Sequence, residues 1–373
     1  MTGSVARRYK VLVLAPPLQA VGGIQNYTHT LFAALQNVLG NGRARMVAVP
    51  GEPEERSDGS FRLRPFVKIR FLASAFAAAL SWSPDLIICA HIGVAPVGSL
   101  IQQLMRIPYW VILYGIEVWG ELPPAKLRAL RAAQRLVSIT RFTLDATIAR
   151  HSLRQPHALI LPPTLPKEQL PTPETACIAS DDAQRPMVLT VGRIASSECY
   201  KGHDVMLEAW PIVLRRLPDA EYWIVGGGDD RPRLESKARA LGIAASVRFT
   251  GSVSPEELAV CYYRCSVFAM PARTELDPMT PCGEGFGIVY LEAMAHGKAV
   301  VGPRIGAPAE FIRAGEHGLL VDPASTVEVA NALIELLEDP ERARRMGEAA
   351  RKFVTHEFSF ESFCKRLSEG LQE

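Results

Sequence analysis

The chain has 373 residues, of which 48% are hydrophobic and 21% charged, and its formal net charge is +2. That length exceeds what one hydrophobic core ordinarily serves, so two globular domains are expected. The balance of apolar and charged residues excludes a disordered chain, and the basic residues lack interleaved aromatics or any binding motif, which argues against nucleic acid as a partner.

Short β-branched runs alternate with helical patterns along the chain, the signature of parallel sheets with crossover helices. Lys10–Ala15 reads as the first strand, 24–39 as a helix, 45–49 as a strand and 66–82 as a helix. Further strands are expected at 85–90, 109–113, 136–139 and 157–161. Prolines and small polar clusters between Pro162 and Pro186 break every period, which marks a linker. A second set of strands follows at 187–191, 222–225, 247–249, 267–270, 299–301 and 319–321, each leading into a helix or a loop. Asp229-Asp230 is expected to cap the helix that begins near Pro232.

The seven cysteines, Cys89, Cys177, Cys199, Cys261, Cys265, Cys282 and Cys364, are odd in number and lack C-x-x-C spacing, so they read as reduced thiols of a cytosolic protein. Cys261 and Cys265 share a helix face, but further ligands for zinc are not evident, and no metal site is expected. No secretory leader is expected before the first strand.

The most informative stretch is Glu284-Gly285-Phe286-Gly287-Ile288-Val289-Tyr290-Leu291-Glu292, two carboxylates eight positions apart across a glycine turn and the start of an apolar helix. The glycines permit a tight turn and close approach of a ligand, and the amides that open the helix favour negative charge. Downstream lie Gly306-Ala307-Pro308-Ala309-Glu310 and Gly315-Glu316-His317-Gly318-Leu319-Leu320-Val321-Asp322-Pro323; upstream lie Val191-Gly192-Arg193, Lys201-Gly202 and Val225-Gly226-Gly227-Gly228. In order and spacing this text resembles the family 4 retaining glycosyltransferases, also called glycosyl transferases group 1. The resemblance covers the C-terminal half and is looser in the N-terminal half, at Gly22-Gly23-Ile24, at Asp85 to His91 and at Tyr114-Gly115-Ile116-Glu117.

The resemblance implies an α/β protein of the GT-B fold, with two facing Rossmann-like domains, an inter-domain cleft and a C-terminal crossover helix. The expected division is an acceptor-binding domain at 1–165, a linker at 166–185, a nucleotide-sugar donor domain at 186–355, and a helix at 356–373 that crosses back to the first domain. It further implies a retaining, metal-independent transfer of a hexose from a nucleotide diphosphate sugar, UDP- or GDP-linked, to a sugar or lipid-linked glycan in bacterial surface polysaccharide synthesis. No cofactor is implied. Arg193 and Lys201, after the first strand of the second set, would stabilise the departing diphosphate, and Glu284 with the amides of Phe286 and Gly287 would position the donor sugar. Glu292 would hold the ribose hydroxyls; Gly22, Gly23, Gly226, Gly227 and Ile288 complete the expected donor site.

In the family this text resembles, a histidine facing the donor sugar often stands where this chain has Tyr114. A phenol donates hydrogen bonds but is a poor base near neutral pH, so the leaving phosphate would accept the acceptor's proton. His91, Tyr114 and Glu117 are expected to contact sugar or acceptor, with Trp119 either beside them or packed under the loop. An isomerase of nucleotide sugars on the same architecture and a catalytically silent sugar-nucleotide binding module remain alternatives. The first would convert donor without acceptor, and the second would turn over nothing.

Residues 1–174 carry 19 Lys+Arg against 10 Asp+Glu, and the remainder 22 against 29. Arg62, Arg64, Lys68 and Arg70 adjoin the apolar run 66–82, which fits either an ordinary basic face or a surface drawn to anionic lipid. The expected location is therefore cytoplasmic, with peripheral contact on the inner face of the plasma membrane as one reading.

Overall fold

The computed structural model describes residues 9–19, 22–51, 54–55, 61–62, 65–154, 157–165 and 185–373. The expected linker and Cys177 lie outside them, apart from Arg185. The chain divides into two compact units: Met1–Thr164 with Leu276–Pro281 and Phe358–Glu373, and Leu165–Glu275 with Cys282–Glu357.

The first unit holds β1 (Val11–Ala15), β2 (Ala44–Ala48), a two-residue antiparallel pair β3 (Glu54–Glu55) and β4 (Phe61–Arg62), then β5 (Leu86–Cys89), β6 (Tyr109–Leu113), β7 (Arg135–Ser138) and β8 (Ala158–Ile160). Six of these form one parallel sheet in the order β2-β1-β5-β6-β7-β8. All five residues of β1, all four of β5 and all five of β6 are buried. Helices cover both faces of such a sheet, which is why these strands read as unbroken apolar runs. The helices are Gly23–Leu39, Pro65–Trp82, Ala95–Met105, Pro124–Ala132 and Arg141–His151, with a short one at Ile116–Trp119. The Thr140 side chain accepts from the Thr143 amide and fixes the start of Arg141–His151.

The second unit repeats the plan with β9 (Met187–Val191), β10 (Glu221–Val225), β11 (Val247–Gly251), β12 (Val267–Ala269), β13 (Ala299–Pro303) and β14 (Gly318–Val321). The order is β11-β10-β9-β12-β13-β14, all parallel. Trp210, Tyr222, Leu333 and Met346 anchor its core. A capping box between Ser254 and Glu257 opens the helix Pro255–Arg264.

Two excursions return chain to the first unit. The helix Phe360–Gly370 packs Phe363 edge-on against Tyr27 at 5.6 Å, and Arg135 donates to the Gly370 carbonyl at 2.7 Å. Leu276–Pro281 is the other: Arg150 donates to the Leu276 carbonyl at 2.7 Å, and the Glu121 amide to that of Pro278 at 3.1 Å. No periodicity marks this second excursion in the sequence.

Candidate functional site

In the second unit the chain leaves β9 through Gly192 and Arg193 and enters a 3₁₀ turn, Ser196–Lys201. Three anchors fix that turn. Asp229 accepts from the Ser196 amide at 2.9 Å and its hydroxyl at 2.6 Å, and the Tyr200 carbonyl accepts from the Arg273 amide at 2.7 Å. Gly202 closes the turn at φ 86°, where a Cβ would strike the Pro271 carbonyl. Here the expectation for the aspartates is corrected. Asp230 occupies the position before helix Arg231–Ala240 without a side-chain cap, because its carboxylate pairs with Arg233 at 2.6 Å, while Asp229 ties down the 3₁₀ turn.

The turn brings Arg193 and Lys201 together on one carboxylate that the sequence reading did not single out. Glu198 is buried; one of its oxygens lies 2.9 Å from Lys201 Nζ and the other pairs with the Arg193 guanidinium. Glu284 belongs to the same cluster. Its carboxyl is pushed above the usual range by burial; Lys201 opposes this, Glu198 adds to it, and Arg193 and the Gly287 amide oppose it. The Tyr200 phenol is likewise pushed up, by burial and then by Glu284 and Glu198. Behind the pair, burial pushes the His203 imidazole down to about 4, with Lys201 acting in the same direction, so this ring is neutral at ordinary pH.

Gly287, at φ 88°, precedes the helix Ile288–Ala295. The Phe286 ring is buried and stacks on Phe311 at 5.0 Å, so its side chain serves packing. Glu292 sits one level deeper, 4% exposed, where Oε2 accepts from the Tyr262 hydroxyl at 2.7 Å. The spacing of eight thus places the two glutamates in different surroundings, one beside cations and one beside a phenol. Gly226 is committed to the fold: its φ is 138°, a Cβ would strike the Gly192 carbonyl, and its amide donates to Gly251 at 2.9 Å. The Gly227 carbonyl accepts from the Ile194 amide at 2.8 Å.

The remaining candidates lie in the first unit. Gly22 and Gly23 open the helix Gly23–Leu39 after β1, and a Cβ on Gly23 would meet open space. His91 is buried, its Nδ1 accepts from the Gly93 amide at 2.9 Å, and burial followed by Lys126 pushes its pKa down to about 3. Tyr114 lies inside the first unit. The ring is buried edge-on against Tyr27 at 5.3 Å, and the hydroxyl donates to the Ala90 carbonyl at 3.0 Å. Glu117 is turned inward as well, with Oε1 accepting from the Tyr114 amide at 2.7 Å; burial pushes its carboxyl up against that hydrogen bond. Trp119 is buried edge-on against Phe142 at 5.6 Å, the packing reading of its two. Glu198 and Tyr262 are what the sequence reading missed. Glu198 stands one helical turn before Lys201, a spacing that could have drawn attention to it; nothing local distinguishes Tyr262.

Residues 179–353 match the profile of the glycosyl transferases group 1 family. A GDP-mannose-dependent alpha-(1-6)-phosphatidylinositol monomannoside mannosyltransferase of Mycolicibacterium smegmatis is 35% identical over 266 residues, 69% of this chain and 68% of the relative. The chain belongs to the group 1 glycosyl transferases. A protein of the same description from Mycobacterium tuberculosis (strain ATCC 25618 / H37Rv) is 38% identical over 189 residues, and the match spans 51% of this chain but only 48% of that relative's length. Among solved structures, Anabaena Alr3699/HepE in complex with UDP superposes with a TM-score of 0.76 at 18% identity, covering 97% of this chain and 99% of the other. That likeness identifies the two six-stranded parallel units as those of the GT-B fold. Within this group 1 glycosyl transferase, the profile match contains the whole Arg193–Lys201–Glu284–Glu292 set.

Proposed function

We propose that the chain is a retaining, metal-independent hexosyltransferase that moves a sugar from a nucleoside diphosphate to a glycan or a lipid-borne acceptor in surface polysaccharide synthesis. The observation that carries this reading is the meeting of Arg193 and Lys201 on one carboxylate of an anchored turn, with Glu284 in their field. The two cations would bind the diphosphate and stabilise the charge that develops on it as the bond to the sugar breaks. Glu284 and the amides of Phe286 and Gly287 would hold the sugar, and Glu292, oriented by Tyr262, would take the ribose hydroxyls. With the Tyr114 phenol buried, the acceptor's proton passes to the departing phosphate as the new bond forms on the face the nucleotide leaves. The names of the mycobacterial relatives favour GDP-mannose as donor and a lipid-anchored sugar as acceptor.

A lipid-borne acceptor agrees with the first unit's surface. On the helix Pro65–Trp82, Phe66, Ile69 and Leu80 are exposed, as are Lys68 and Arg70; the neighbouring helix Ala95–Met105 adds exposed Leu100 and Leu104. Among the described residues no helix is long and apolar enough to cross a membrane. An apolar row flanked by cations suits peripheral contact with an anionic leaflet on the cytoplasmic side. Arg64 lies outside the described residues and the Arg62 side chain is likewise not described.

The deciding experiment is a thermal-shift panel of GDP-, UDP- and ADP-sugars, followed by transfer to mannosylated lipid in excess chelator. A GDP-sugar should raise the melting temperature by mass action, and the product linkage, read by NMR, should keep the donor's anomeric configuration. An inverted linkage would refute retention. Conversion of the donor without acceptor would make the protein an isomerase.

A further inference from the structure

The clamp formed by Arg193 and Lys201 carries its own anion. Glu198 is 9% exposed and engages both cations at once. It has little freedom to retreat, because its turn is held by Asp229 at Ser196, by the Arg273 amide at Tyr200 and by the close approach of Gly202 to Pro271. The two cations differ in exposure: the Lys201 side chain is 13% exposed and the Arg193 side chain 67%. With Glu284 alongside, two formal positive charges already meet two negative ones before any ligand arrives.

We propose that Glu198 is an internal counter-anion, which occupies Arg193 and Lys201 in the ligand-free site and competes with the nucleoside diphosphate for them. The inference rests on the reading of this cluster as a diphosphate clamp. Arg193, the exposed partner, exchanges from Glu198 to a phosphate oxygen when the donor binds, while Lys201 stays between the two anions. Glu198 remains in the field of the bound diphosphate, and their like charges limit affinity. Tight capture of the donor would also mean slow loss of the nucleotide product, which shares the same phosphates; the resident carboxylate sets the balance between them. A side chain that merely braced the turn would do the opposite, since its removal would loosen both cations and weaken binding.

The test is calorimetric titration of the full chain with GDP, UDP and inorganic pyrophosphate, comparing wild type with Glu198→Gln and Glu198→Asp. Glutamine keeps the shape and a side-chain oxygen, yet removes the charge. It should bind each diphosphate about tenfold tighter, and in turnover KM and kcat should fall together as product release slows. Aspartate keeps the charge and should bind no tighter than wild type. Equal or weaker binding by Glu198→Gln would overturn the proposal, as would equal tightening in Glu198→Asp. Glu198→Ala supplies the same charge test if the glutamine variant does not fold. Wild type that transfers sugar while Glu198→Gln binds no tighter removes this inference alone; wild type that binds none of the three ligands removes the clamp reading with it.

Discussion

The Tyr262 hydroxyl donates a 2.7 Å hydrogen bond to Glu292 Oε2, joining the helix Pro255–Arg264 to the helix that follows the glycine turn. Burial and the neighbouring carboxylate together push the phenol far up, so the donor stays protonated at any working pH. His296 stacks on the same ring at 5.2 Å. Tyr262→Phe removes this donor from a buried carboxylate, and a loss of about 1–3 kcal/mol in stability is expected. If Glu292 takes the ribose hydroxyls, wild type should prefer a nucleoside diphosphate to its 2′-deoxy analogue, and Glu292→Ala should erase that preference. A preference that survives Glu292→Ala would move ribose recognition elsewhere.

Lys201→Ala and Arg193→Ala should each fold and each lose roughly two or more orders of magnitude in turnover, the scale for removing a preorganised electrostatic donor. Lys201 is the more enclosed of the two, and its variant should be the weaker enzyme. Steady-state rates with circular dichroism as a folding control check this; near-normal turnover in either variant would take that residue out of the clamp.

Glu284 supplies a stability test independent of any substrate. Its folded-state pKa is raised, first by burial, above the roughly 4.3 of an unfolded glutamate. Between those two values the native state binds more protons than the unfolded one, so stability falls as pH rises through the window and stays at the lower level above it. Glu284→Gln lacks this titration. Its melting temperature should match or trail wild type in acid and exceed it at neutral pH, while its transfer activity drops. A difference that stays constant from pH 4 to pH 8 would show that Glu284 is solvated and free of the cluster's field.

The strands were legible because a parallel sheet covered on both faces makes continuous apolar runs, as at Val11–Ala15 and Met187–Val191. The paired residues of β3 and β4 carry no such signal: two of the four are glutamates and the pair is too short to show a period. At the site, glycines and charged types were visible, but whether a polar side chain faces ligand or protein is decided by tertiary partners. Tyr114 and Glu117 occupy a strand-to-helix turn that could present either to a cleft, yet Ala90 and the Tyr114 amide claim their polar atoms. Glu198 escaped notice for a related reason, since its importance lies in being shared by Arg193 and Lys201.

Membrane contact divides into an apolar and an ionic part that can be removed separately. Phe66→Ser, Ile69→Ser and Leu80→Ser change exposed side chains and should cost little stability, yet together they should release the protein from phosphatidylserine vesicles. Lys68→Gln with Arg70→Gln should weaken binding roughly thirtyfold, at about 1 kcal/mol for each cation near the surface. Added salt should mimic the Lys68 and Arg70 substitutions, because exposed charges are screened over about 8 Å at physiological ionic strength. Vesicle cosedimentation measures all of these; undiminished binding by the serine triple variant would place the contact on another surface.

Tyr114→Phe separates packing from chemistry at a buried phenol of the first unit. The hydroxyl donates to the Ala90 carbonyl, burial drives its pKa far above the ordinary phenol value, and the ring wedges against Tyr27. Phenylalanine preserves the ring and loses one buried hydrogen bond, so a stability loss of about 1 kcal/mol is expected. Acceptor-dependent rates should fall only modestly and keep the wild-type pH profile, because a phenol locked in its protonated form carries no proton between substrate and solvent. Rates measured from mildly acid to alkaline pH decide the matter. A correctly folded but nearly inactive Tyr114→Phe, lacking a titration that wild type shows, would make the phenol a proton carrier and displace the leaving phosphate from that role.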